Sequence, residues 1–210
     1  MSAHVSPPSN AAQPTTLRQR RWSRRASALV SMLLCLLISR ALYADSGVPL
    51  NLQARLLSRL CGYDRNFKAR NGSTVNVLVV YRKSDPDSAF EGAGLAKAIA
   101  EVQDIGGLPF KVDQATFSDA ESLAKRCRTD KIGVVYLTVG LEADTPRIAS
   151  SLANLGLLTV GSSARHAEGG AVVGIGVEEA RPKLVINLKQ AASQNVKFKA
   201  EILSLARLID

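Results

Sequence analysis

The run Thr74 to Tyr81, TVNVLVVY, is β-branched and apolar on both of its alternating faces. Such a strand fits an interior position between two layers of helices, because both of its sides must be covered. Ile132 to Val139, IGVVYLTV, repeats the pattern, and Leu157 to Val160 is a shorter version. Leu108 to Phe117 alternates like a strand with one side in water.

The segments between these strands carry helical periodicity. Val48 to Tyr63 places Leu52, Leu56, Leu60 and Tyr63 on one stripe, which Leu57 widens. Ser88 and Glu91 have the spacing of a capping box for a helix that runs to about Val102 with Leu95 and Ile99 facing inward. Ser118 and Glu121 repeat that spacing before Lys125 and Cys127. Leu141, Ile148, Leu152 and Leu155 stripe another helix, with Pro146 in its first turn. Alternation of this kind predicts an α/β fold, a mainly parallel sheet with helices on both faces.

The stretch Leu157 to Leu188 adds a C-terminal antiparallel hairpin, Ala171 to Val177 against Lys183 to Ile186, beyond a polar turn at Gly161 to Gly170. Gly174 and Gly176 predict a close neighbour on the first hairpin strand. The outer strand is expected to be an exposed edge fit for pairing or partner docking. Asn187 and Gln190 predict a cap on a short helix LKQAAS. Phe198, Ile202, Leu205 and Ile209 predict a final amphipathic helix. Residues 45–210 read as a single compact domain.

Residues 1–44 read differently. RQRRWSRR precedes the 14-residue apolar run Ala26 to Ser39, and RALYADS follows, which is the layout of a secretory signal peptide cut between Ala44 and Asp45. The run is short for a bilayer span, which needs about 20 apolar residues. A retained anchor and a mitochondrial presequence are the competing readings. Six of the 27 basic residues fall in residues 1–44, where no Asp or Glu lies. The remainder carries 21 basic and 18 acidic side chains, so the formal charge of +9 does not describe the domain. A nucleic-acid partner is therefore not expected, and few aromatics remain for base stacking.

Export also bears on the cysteines. Cys61 and Cys127 in the mature chain are expected to pair as a disulfide in an oxidising compartment. The alternative is two buried small apolar side chains on different helices.

Candidate chemistry concentrates in SSARHAEGG, where Ser162, Ser163, Arg165 and His166 follow a strand end. Hydroxyls, a guanidinium and free N–H groups there suit a small anionic or amide-bearing ligand, whereas a plain polar turn is the simpler reading. His166 is the single histidine of residues 45–210, so nucleophilic catalysis by a serine would depend on it. No catalytic centre, metal shell or cofactor is expected, since one histidine and two distant cysteines do not make a usual zinc site.

The opening helix LQARLLSRLCGYDRNF and the tail LLTVGSSARHAEGGAVVGIGVEEARPKLVINLKQAASQNVKFKAEILSLARLI resemble the YfiR family of periplasmic proteins. LTVG, EGG before the hairpin, INL with the alanines after it, and the closing ILSLAR carry the specificity. The resemblance implies a non-enzymatic α/β domain in the periplasm, not inserted in the membrane after cleavage. It also implies a partner: the periplasmic part of an inner-membrane diguanylate cyclase or sensor kinase, with effects on cyclic-di-GMP and biofilm formation. A homodimer is compatible with it, and Cys61 and Cys127 would then be a structural tie or a simple redox switch. Two other functions stay open at this point, a solute-binding protein using the Gly161 to Gly170 turn and a serine hydrolase using His166.

Overall fold

Valine-rich strands at the centre of one sheet organise the fold. A computed structural model describes residues 47–179 and 181–210; the expected signal peptide lies outside the described residues. The strands are β1 (Val75–Tyr81), β2 (Phe110–Thr116), β3 (Ile132–Leu137), β4 (Leu158–Gly161), β5 (Val173–Glu178), β6 (Arg181–Asn187) and β7 (Arg207–Ile209). They form one seven-stranded sheet in the order β2-β1-β3-β4-β5-β6-β7. The first five run parallel, β6 turns back antiparallel to β5, and β7 pairs parallel to β6.

Period-two alternation sends successive side chains of β1 and β3 into two separate cores. Val77, Val79, Val134 and Tyr136 face α1 (Leu50–Gly62) and α3 (Pro86–Ala100). Leu78, Val80, Val135 and Leu137 face α4 (Ala120–Thr129) and α5 (Thr145–Ser151). Helices therefore cover both faces, as the two-sided apolar strands require. No helix among the described residues is long and apolar enough to cross a membrane.

The helix starts differ from the sequence expectation. Asp85, not Ser88, caps α3: its carboxylate accepts from the N–H groups of Asp87 and Ser88, and Pro86 occupies the first turn. Asp119, not Ser118, caps α4 by accepting from Ser122 N–H at 2.8 Å. Ser118 only donates its hydroxyl to Asp119, and Glu121 is exposed. An aspartate wins each cap, three residues before Ser88 and one after Ser118, because a carboxylate is a stronger acceptor at the positive helix end. Asn187 caps α7 (Leu188–Ser193) through Gln190 N–H at 2.8 Å, while the Gln190 side-chain amide nitrogen is buried without a partner.

The polar turn after β4 is a short helix, α6 (Ala164–Glu168). It lies directly on the sheet because β4 and β5 present glycines beneath it. A Cβ at Gly161 would collide with the His166 ring, and one at Gly174 with the Ser163 carbonyl oxygen. The neighbour expected at Gly174 and Gly176 is thus the N-terminal turn of α6.

The tail departs most from expectation. Only Ala200–Leu203 (α8) is helical, and Arg207–Ile209 lies on β6 as β7. The free edge of β6 supplies main-chain partners that a solvated last helical turn would lack, so Leu205 and Leu208 end up exposed rather than on a helix stripe. The outer hairpin strand is consequently paired on both sides, and the sheet edges are β2 and β7.

A clasp joins the α1 end to the tail. Asp64 and Arg70, on either side of the start of α2 (Phe67–Asn71), form a buried ion pair at 2.6 Å. Asp64 Oδ1 also accepts from Lys197 N–H at 3.0 Å, and Arg70 donates to the Asn195 carbonyl at 2.9 Å. Asp64 and Phe198 form an antiparallel bridge.

The expected disulfide is not formed: Cys61 and Cys127 are free and buried. Cys61 sits in the core under α1 and Cys127 in the core on the opposite side of the sheet. A bond between them would have to pass through the strands. Burial pushes the Cys61 thiol well above its usual range and the Cys127 thiol up to about 11, so neither is a ready thiolate.

Candidate functional site at the carboxyl ends of the central strands

The strand order steps outward from β1 to β2 and then returns past β1 to β3. At such a step the loops leaving adjacent strands diverge and leave a crevice at the carboxyl ends, where α/β sheets bind ligands. The buried polar side chains Gln53, Ser88, Glu91 and Thr138 lie at this point.

A directed chain of hydroxyls links the two strands. Arg82 N–H donates to Ser88 Oγ at 2.8 Å, Ser88 Oγ lies 2.7 Å from Thr138 Oγ1, and Thr138 donates to the Val80 carbonyl at 3.1 Å. Because both ends are fixed by the main chain, Ser88 must donate to Thr138. Ser88 and Thr138 are fully buried, so every member of the chain needs a partner and has one.

Glu91 sits one turn further along α3. Its Oε2 accepts from Val139 N–H at 2.6 Å, just past the end of β3. The carboxyl is buried, and burial pushes its pKa up to about 7 against the favourable Val139, Gln53 and Ser162 contacts; the charge of Glu142 adds to the rise. Alongside, Tyr136 donates its hydroxyl to Gln53 Oε1, and Gln53 Nε2 donates to the Val48 carbonyl at 2.6 Å. Burial, then the Glu91 charge, holds the Tyr136 phenol well above its ordinary range.

On the other side of β3, Ser163 Oγ lies 3.0 Å from His166 Nδ1 and 3.3 Å from Glu142 Oε1. His166 is fully buried, and burial lowers its pKa although Glu142 opposes this. Glu142 Oε1 approaches the same ring nitrogen at 4.0 Å, while Nε2 is buried with no hydrogen-bond partner. A proton relay needs the acid on one imidazole nitrogen and the nucleophile on the other. Here both meet Nδ1. The arrangement orients α6 on the β3–α5 loop rather than activating Ser163.

The rim is charged. Arg82 pairs with Asp144, donates through Nε to the Gly140 carbonyl at 3.0 Å, and lies over the Phe117 ring at 5.8 Å from its centroid. Beyond it an open cleft of about 740 Å³ separates the starts of α4 and α5. Of its carboxylates, Asp119 and Asp144 are already engaged, by the α4 cap and by Arg82, while Glu121 is exposed.

Of the residues singled out from sequence, Ser162, Ser163 and His166 do come together with Ser88 and Glu91 around the β3 and β4 ends. Arg165 points to solvent, Ser118 and Glu121 line only the open cleft beyond the rim, and the cysteines, Asn187 and Gln190 lie elsewhere. Sequence reasoning missed Gln53, Tyr136, Thr138 and Glu142. Gln53 was detectable, since it stands at i, i+4, i+7 with Leu57 and Leu60 on an otherwise apolar stripe. No group of three or more His, Cys, Asp or Glu among the described residues could hold a metal ion.

Comparison with known proteins bears on the fold first. The structure is similar to a conserved domain protein from Vibrio cholerae O1 biovar El Tor (13% identity, TM-score 0.58, 77% of this chain and 60% of that one). It is similar to the ABC domain in complex with L-Trp from Streptococcus pneumoniae (15%, 0.57, 77% and 60%). A ligand-free, open substrate-binding protein with adhesive properties from Clostridium difficile matches at 11% and 0.59, over 78% of this chain and 60% of that one. At these identities the likeness concerns the fold, and the chain spans about 60% of the length of each. No curated protein matches the chain. The YfiR/HmsC-like family, in contrast, matches residues 51–207, from the first turn of α1 to the start of β7. The chain belongs to the YfiR/HmsC-like family.

Proposed function

We propose that this protein is a periplasmic, non-enzymatic regulator that binds the periplasmic part of an inner-membrane signalling protein, such as a diguanylate cyclase, and shifts its output. The observation that carries this reading is the family match over residues 51–207. The site geometry agrees with it. The buried polar groups at the strand ends are spent on holding loops, and the Ser163, His166 and Glu142 set lacks the two-sided imidazole of a relay. Regulation of this kind needs only differential affinity for two states of the partner. Deleting the gene in a cell that holds the cyclase should raise cyclic-di-GMP, measured in extracts and restored by the gene in trans; an unchanged level overturns the reading.

A solute-binding role is the second reading, favoured by the likeness in fold to a substrate-binding protein and to a domain in complex with L-Trp, and by the polar cluster at the strand-order step. The chain covers about 60% of those structures, so this domain would have to hold a ligand with one lobe. A thermal-shift screen of amino acids and small anions in which a hit is lost in Glu91→Gln would support it.

A further inference from the structure

Charge is distributed unevenly along the domain. Residues 46–84 carry seven Lys and Arg and one acid, Asp64, while residues 180–200 carry five and no acid. Asp64 is buried and bound to Arg70, so it does not offset the others. The clasp brings these two stretches together. Arg65 N–H donates to the Lys197 carbonyl and Lys199 N–H to the Tyr63 carbonyl, both at 2.9 Å. Lys199 Nζ lies over the Tyr63 ring at 5.9 Å from its centroid. From Tyr63, Arg59 and Arg55 follow at successive i−4 positions along the exposed side of α1.

Arg55, Arg59, Arg65, Lys68 and Lys197 are exposed. Among the described residues none of them, nor Lys199, forms an ion pair. The acids at the border are exposed Glu201 and half-buried Asp104, whose carboxylate accepts from Gly107 N–H at 2.7 Å. The fold gains nothing from this crowding, since like charges four apart on a helix, or facing across paired chains, cost stability. Beside Lys197 an apolar groove of about 220 Å³ is lined by Leu188, Ala191, Val196, Phe198 and Leu203. Leu188 and, further along the tail, Leu205 are exposed, at 36% and 67%.

We propose that this face docks on a membrane surface, its cations taking the phosphates of anionic phospholipids while the groove and its leucines meet the acyl region. A bilayer surface presents both chemistries side by side. A free phosphate would leave the groove unused. The cations are spread over α1, α2 and the tail, which suits a laterally mobile array of headgroups better than one bound molecule. In the function proposed above, docking would hold the regulator beside its membrane partner. That use rests on the regulatory reading; the lipid binding itself does not.

The test mixes protein recovered from expression of the full chain with vesicles of phosphatidylcholine, alone or with about one third phosphatidylglycerol, and measures binding by co-sedimentation. Affinity for the anionic vesicles should be about tenfold higher or more at low salt, and should fall as ionic strength rises. Arg65→Gln combined with Lys197→Gln should weaken that binding about tenfold, with a thermal melt unchanged or raised because a like-charge contact is gone. Lys125→Gln combined with Arg128→Gln removes the same charge from α4, across the sheet, and should stay within about twofold of the parent. Residues 1–44 are common to all three proteins, so their contribution cancels in the comparison. Equal binding to both kinds of vesicle overturns the proposal, as does a clasp variant that binds no more weakly than the α4 variant. Poly-L-glutamate that displaces the protein from the vesicles at matched charge would overturn it too, in favour of an acidic protein as the occupant. No cyclase is present in the vesicles, so failure here leaves the regulatory reading standing.

Discussion

The two halves of the sheet bury their helices by different means. On β1 and β3, Leu78, Val80, Val135 and Leu137 hold α4 and α5 at the distance of interdigitated side chains. On β4 and β5 the same side of the sheet presents Gly161, Gly174 and Gly176, and α6 sits down on them: the Ser163 main chain on Gly174, the Ala164 methyl on Gly176 and the His166 ring on Gly161. The first arrangement tolerates changes of volume because several flexible groups share the contact. The second has no side chain on the strands to give way, and at Gly174 it sets main chain against main chain. That rigidity is what carries Ser163 and His166 to the end of β3, where they meet Glu142.

The sharpest way to break this contrast is Gly174→Val. Its branched side chain would occupy the space of the Ser163 carbonyl, and the expected cost is above about 4 kcal/mol or outright failure to fold. Urea unfolding measures it; a cost under about 1 kcal/mol would mean that α6 can lift away freely. In the other half, Leu78→Ala should cost about 3 to 4 kcal/mol with an unchanged denaturant slope, the ordinary figure for a cavity in a side-chain core.

The smallest effect separates the halves electrostatically. Glu91 holds its proton up to about pH 7 in the folded state against an ordinary 4.5. Folded protein therefore binds the proton more tightly than unfolded protein. The stabilisation is fully present below pH 4.5 and is lost as pH rises through 7, on the order of 2 to 3 kcal/mol. His166 works the other way, since its lowered pKa costs stability as pH falls below 6.5. Glu91→Gln should remove the first slope alone. The difference in unfolding free energy between parent and variant should then grow from pH 5 to pH 8 in favour of the variant; a difference that does not vary with pH would contradict the assignment.

Much of the fold was legible because its strands announce themselves: Thr74 to Tyr81 and Ile132 to Val139 have one physical solution, and the hairpin follows from Gly and β-branched alternation. The caps were misread for a local reason. Ser88 and Glu91 have capping-box spacing, yet Asp85 sits just before Pro86, and the proline fixes the helix start there. Freed from the cap, both turn inward and become part of the polar cluster. The tail was misread for a tertiary reason: Ile202, Leu205 and Ile209 keep helical spacing, but β6 offers an open edge that sequence does not display. His166 reads as part of a polar turn in the sequence; its burial comes from Gly161, five residues earlier at the end of β4, which leaves room for the ring. The cysteines were misjudged because spacing does not reveal that a sheet lies between them.

The clasp between Asp64, Arg70 and residues 195–198 has a kinetic consequence. Its contacts bridge up to 134 positions of the chain, from Asp64 to Phe198, so they are among the least local in the molecule. Until those last residues are in place, Asp64 and Arg70 lack the main-chain groups that complete their burial. The expected consequence is a late-locking domain: a chain trimmed before Asn195 should keep its central strands but leave Asp64 and Arg70 without these partners, which amide exchange across α1 and β1 would separate.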